Sequence, residues 1–151
     1  METQRYISRN AGFTVLEVLL SLALIAVILG AGIPVYQSLQ VRNDLDIAAT
    51  TVAQSVRRAQ ILAQASDGDT SWGVDVRSGS ITIFKGASYA SRDASYDETF
   101  TLPTSLTPSG TLDYVFAKFT GVPDTTGTVT LTSNLNEIRT LTITSKGTVS
   151  Y

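Results

Sequence analysis

Gly12-Phe13-Thr14-Val15-Leu16-Glu17, running into Val18-Leu19-Leu20-Ser21-Leu22, is the stretch that decides the fold. From Val18 to Val41 no residue carries a charge, and Arg42 is the next that does. A membrane-crossing helix needs about 20 mainly apolar residues, so the run is long enough, with Glu17 at its front edge. A carboxylate at the centre of such a helix costs roughly 2.5–3.5 kcal/mol on insertion scales. An acid placed at that margin calls for a partner of opposite charge.

The residues before the run are basic, because Arg5 and Arg9 outnumber Glu2, whereas the chain as a whole has a net charge of −2. A basic leader before an acidic body fits a leader kept in the cytoplasm and a body outside. The acidic body lacks the basic stripe of a nucleic-acid binder. At 151 residues the chain has room for one modest domain with an appendage. It contains no cysteine, so disulfides, thiol chemistry and lipoprotein attachment are ruled out. It contains no histidine, which removes the commonest general base and metal ligand. Its many serines and threonines have no evident activating base. The expectation is a protein without catalytic residues, metal or cofactor.

Two general readings of the front end compete with a specific one. A secretory signal peptide has an apolar core of about 7–15 residues ending in a small-residue cleavage site. This run is longer and an acid opens it, although Ala31-Gly32 offers a small-residue site. An ordinary single-pass anchor accounts for the length but not for Glu17 or the Gly12-Phe13 junction.

The specific reading is a resemblance. Gly12-Phe13-Thr14-x-x-Glu17 before an uninterrupted apolar helix resembles the processing site of type IV pilins and type II secretion pseudopilins. The resemblance implies that a prepilin peptidase cuts between Gly12 and Phe13 on the cytoplasmic side and methylates the new amine of Phe13. It implies that Glu17 pairs with the N-terminal amine of a neighbouring subunit, with Thr14 part of the same assembly motif. A desolvated ion pair repays its cost only with good geometry, so a subunit docked out of step leaves both charges unpaired. Gly30, Gly32 and Pro34 interrupt the second half of the run. Proline removes an N–H and clashes with the preceding turn, and the expectation there is a local helix distortion.

Beyond Pro34 the pattern turns amphipathic. Val41, Leu45, Ala48, Val52, Val56, Ala59 and Leu62 recur at steps of three or four, as on one helical face. Asp67-Gly68 supplies stop chemistry. A helix from Phe13 to Ser66 would be about 80 Å long, so it must project well past a bilayer. From Trp72 onward the chain reads as short strands: Trp72–Arg77 and Ser80–Lys85 around Ser78-Gly79, then Thr99–Leu102, Leu112–Phe119, Gly127–Leu131, Glu137–Thr144 and Thr148–Tyr151. Gly86–Tyr96 reads as a polar loop, and Ser145-Lys146-Gly147 as the last hairpin turn. Arg58-Ala59-Gln60, Trp72-Gly73-Val74, Ile81-Thr82-Ile83-Phe84-Lys85-Gly86 and Arg139-Thr140-Leu141-Thr142-Ile143 before Gly147 are similar to the GspH/FimT-type minor pseudopilins and minor pilins. Some members of that branch bind DNA through basic C-terminal residues; here only Arg139 and Lys146 stand beside Glu137, and Arg57-Arg58 is the only adjacent basic pair. Asp67-Gly68-Asp69 lacks the oxygen ligands of a calcium loop and reads as a turn, and Asp93, Asp97 and Glu98 read as solvated loop acids.

The expected fold is therefore α+β and pilin-like: one long N-terminal helix, membrane-spanning in its first half, packed on a mostly antiparallel β-head. The expected division is a leader at 1–12, a helix at 13–66 (13–36 transmembrane and filament core, 37–66 amphipathic) and a head at 67–151. The expected role is a structural subunit of a type II secretion pseudopilus or type IV pilus at the inner membrane. Its implied partners are other pilin or pseudopilin subunits, the prepilin peptidase and an assembly platform. The alternatives are a DNA-binding minor pilin and a membrane-anchored β-domain of unrelated function.

Overall fold

The computed structural model describes residues 12–151, except the side chains of residues 31–35. The leader expected at 1–12 therefore lies outside the described residues apart from Gly12. The chain divides into two compact units, Met1–Gln37 and Ser38–Tyr151. Helix α1, Val15–Gln64, contributes its apolar part to the first and its amphipathic part to the second.

In the first unit every described large apolar side chain of α1 is exposed, from Val15 and Leu16 to Ile28 and Leu29. A helix apolar all round is stable only when something else covers it. Among the described residues no helix is long and apolar enough to cross a membrane. The described apolar part runs only from Val15 to Gly30, about 24 Å of helix, and the span expected at 13–36 takes in 31–35. The distortion expected at Gly30, Gly32 and Pro34 rests in part on those same residues. Backbone helix is continuous through them.

The second unit begins with the amphipathic part of α1. Leu45, Ala48, Val52, Val56 and Ala59 are buried, as the spacing requires, while Leu62 packs partly buried against the core. Ala49, Ala53 and Ala63 are buried beside them. The helix ends at Gln64, two residues before the expected Ser66. Ser66 turns left-handed at φ 54°, and a 3-10 turn, Asp67–Asp69, follows. The Trp72 indole N–H donates to the Asp67 carbonyl at 2.8 Å, which pins this stop to the first strand.

The head is two four-stranded sheets rather than one, and every strand pair is antiparallel. The first has the order β3-β2-β1-β5, from β1 (Trp72–Arg77), β2 (Ser80–Lys85), β3 (Asp93–Thr101) and β5 (Asp113–Phe116). The second has the order β4-β6-β7-β8, from β4 (Leu106–Gly110), β6 (Gly127–Ser133), β7 (Ile138–Ile143) and β8 (Val149–Ser150). Val74, Val76, Ile81, Ile83, Tyr114 and Phe116 of the first sheet join Leu106, Val129, Leu131, Leu141 and Ile143 of the second and the α1 stripe in one core.

Two elements depart from the sequence reading. Strand β4 is absent from the sequence reading; its Pro108 cannot donate to a ladder, and the strand lies on the edge of its sheet, where proline is tolerated. The polar segment expected as a loop at 86–96 becomes strand from Asp93 onward. Its register slips between Ile83 and Lys85, so Ile83 faces Glu98 but Lys85 faces Asp93. Arg92 holds this bulge by donating to both Asp97 oxygens at 3.1 and 2.8 Å. The Tyr89 ring lies 4.3 Å from the Arg77 guanidinium and 3.8 Å from that of Arg92. It meets Phe84 edge-on at 5.6 Å.

Candidate functional site

The site expected at Gly12–Glu17 lies at the start of α1. Thr14 precedes the first helical residue and caps the helix. Its side-chain Oγ1 accepts from the Glu17 amide at 3.2 Å, and its carbonyl accepts from Glu17 and Val18 at 3.1 and 3.2 Å. Thr14-Val15-Leu16-Glu17 thus fits the Ser/Thr-x-x-Glu spacing of a capping box, with the forward half of the box formed. The sequence carried this signal in plain view, and it gives Thr14 a local structural task as well as its place in the motif.

Glu17 sits in the first turn, where the helix dipole favours an anion. Its carbonyl accepts the Ser21 hydroxyl at 2.8 Å. Among the described residues its carboxylate has no ion-pair partner. Its neighbours are apolar and exposed: Phe13 is 83% and Leu16 77% accessible. Among the described residues nothing lies within 4 Å of where a Cβ on Gly12 would stand.

The other charged groups weighed in the sequence are mostly engaged within the head. Arg58 donates to Glu98 at 2.6 Å, and that bond and charge raise the guanidinium pKa further. Arg139 pairs with Asp46 at 2.8 Å and Arg42 with Glu137 at 2.7 Å, so β7 is tied to α1. Asp69 pairs with Lys118. Asp93 accepts from the Ser95 hydroxyl and amide at 2.6 and 3.1 Å, which lower its pKa. Asp93, Asp97 and Glu98 therefore each have their own partner, on a strand rather than a loop. Among the described residues no three potential ligands gather around one point that could hold a metal ion.

The sequence places Gln60 in the Arg58-Ala59-Gln60 pattern but does not show its task. Its amide donates to the Gly121 carbonyl at 3.0 Å and the Lys146 carbonyl at 2.9 Å, joining α1 to a loop after β5 and to the last hairpin. Gly121 and Gly147 have φ of 63° and 76°. A Cβ on either would lie under 3.0 Å from Gln64 or Gln60, which explains why both turns carry glycine.

The comparisons with known proteins agree with this arrangement. The prokaryotic N-terminal methylation motif matches residues 7–33. Among curated proteins none matches the chain. Among solved structures the chain is similar to the minor pseudopilin EpsH from the type 2 secretion system of Vibrio cholerae. The TM-score is 0.54 and the identity 16%, over 71% of this chain and 94% of that one. The chain thus carries the N-terminal methylation motif at the head of its helix, and the fold that follows is like that of a minor pseudopilin.

Proposed function

We propose that the chain is a minor pseudopilin or minor pilin: a structural subunit, not an enzyme. It is made as a precursor, cut between Gly12 and Phe13 by a prepilin peptidase, methylated on Phe13 and assembled through α1. The precursor is held in the inner membrane with its leader in the cytoplasm and its head outside. The observation that carries this reading is Glu17, a carboxylate without an ion-pair partner among the described residues, at the start of a helix whose large apolar side chains from Val15 to Leu29 are all exposed. Lipid covers such a helix before assembly and neighbouring subunits cover it afterwards. The cut creates the amine that Glu17 lacks.

Glu17→Ala, expressed beside the other subunits, tests the reading. Sheared filaments are expected to lose the variant while the membrane fraction retains it in processed form. Incorporation equal to wild type would sink the assembly role of Glu17.

A further inference from the structure

The face of α1 turned away from the core of the 38–151 unit has a pattern of its own. Ile47 and Ile61 are 56% and 63% exposed there. Two shallow grooves flank them, one lined by Ile47, Thr50 and Gln54, the other by Gln54, Arg57 and Ile61. Among the described residues Asp44 and Arg57 form no ion pair, although Arg42, Asp46 and Arg58 of the same helix each do. Two opposite charges and two large apolar groups are thus left without partners on one helix face.

Their spacing is related. At 1.5 Å per residue, Asp44 and Arg57 are about 20 Å apart along the axis and Ile47 and Ile61 about 21 Å. At 100° per residue, Asp44 and Arg57 flank the isoleucine line on opposite sides, about 140° apart. When two parallel helices meet face to face, one flank of the first meets the opposite flank of the second. A single shift therefore brings Arg57 of one copy beside Asp44 of the next and Ile61 beside Ile47.

We propose that this face seats the same face of a second copy of the chain, parallel and shifted by about 20 Å. The inference rests on the reading of the chain as a subunit stacked through α1, and it adds the register and the residues that set it. The occupant is argued from charge and spacing together: the only surface required is the one the chain already carries. The shift also orders the subunits, because an unshifted parallel pair sets Asp44 against its own copy's Gln40–Ala48 level and leaves Arg57 opposite no acid.

The absence of cysteine from the chain makes the test clean. Full-length Ile47→Cys and Ile61→Cys variants are co-expressed with the rest of the assembly and oxidised in place, and N-terminal mass is read in the same sample. A disulfide dimer is expected when both variants are present, several-fold above either alone. Asp44→Arg or Arg57→Asp is expected to lower it several-fold, and the two together to restore it. Equal dimer from Ile47→Cys alone would mean an unshifted pair and overturn the proposal. So would a cross-link only to a different subunit, or no dimer from chains whose Phe13 is methylated. Unmethylated Phe13 would instead bring down the reading beneath it.

Discussion

Replacing Gln60 with alanine removes one amide group that serves two loops at once. Its N–H bonds reach the carbonyls of Gly121 and Lys146, the first part-buried and the second exposed. A typical hydrogen bond contributes about 0.5–1.5 kcal/mol net, and a carbonyl left bare in a buried site costs more than one returned to water. The Lys146 carbonyl regains water, so its loss falls at the low end of that range. The two together come to about 1–2 kcal/mol. At about 2–4 °C per kcal/mol for a chain of this size, the melting temperature in detergent falls by about 2–8 °C. Gln60→Glu costs more, because a carboxylate oxygen would then face carbonyl oxygens where the amide donated. Gly147→Ala reaches the same bond from the other side. A Cβ there would lie 2.2 Å from the Gln60 amide nitrogen, at φ 76°. The left-handed backbone alone adds about 1–2 kcal/mol. Because the two changes act on one contact, a double-mutant cycle should show coupling rather than additivity. Hydrogen exchange should localise the effect to residues 117–122 and 144–148. A Gln60→Ala protein within about 0.3 kcal/mol of wild type, or one whose effect adds to that of Gly147→Ala, would refute the staple; additivity is the behaviour of independent sites.

Other expectations come from the head. Asp113 lies directly opposite Asp75 across β1 and β5, and burial and then the Asp75 charge raise its pKa. A raised carboxylate pKa means that this group favours the fold below its unfolded pKa and loses that contribution as pH rises through the folded value. Asp113→Asn should therefore stabilise the protein at neutral pH, by about 0.2–1 kcal/mol, toward the low end because the group is largely solvated. It should also flatten the pH dependence just above the ordinary carboxylate range, as read by chemical denaturation at several pH values. Leu45 is fully buried between α1 and the sheets, and Leu45→Ala should cost about 2–5 kcal/mol in the same assay. Ser95→Ala should return the Asp93 carboxyl toward its ordinary range in an NMR titration, since both bonds that lower its pKa come from Ser95.

The parts of the fold that rest on periodicity were legible in the sequence. The stripe from Leu45 to Ala59 identified the buried face of α1, and the Ser78-Gly79 turn signal fixed β1 and β2 to the residue. What was not legible depends on contacts distant in sequence. Strand β4 exists because its proline falls on an edge, and edges are a property of the assembled sheet. The start of β3 depends on Arg92, Asp97, Tyr89 and Arg77 coming together over Phe84. The Gln60 staple joins groups 61 and 86 positions apart. At the N terminus the motif was legible, and the cap that Thr14 provides lay within the same six residues.

The mass of the mature N terminus, measured on protein taken from its own membrane, decides whether the chain is processed as proposed. The expected result is a chain that begins at Phe13 and carries one methyl group on its α-amine. An intact Met1, or a new terminus near Gly32, would contradict it.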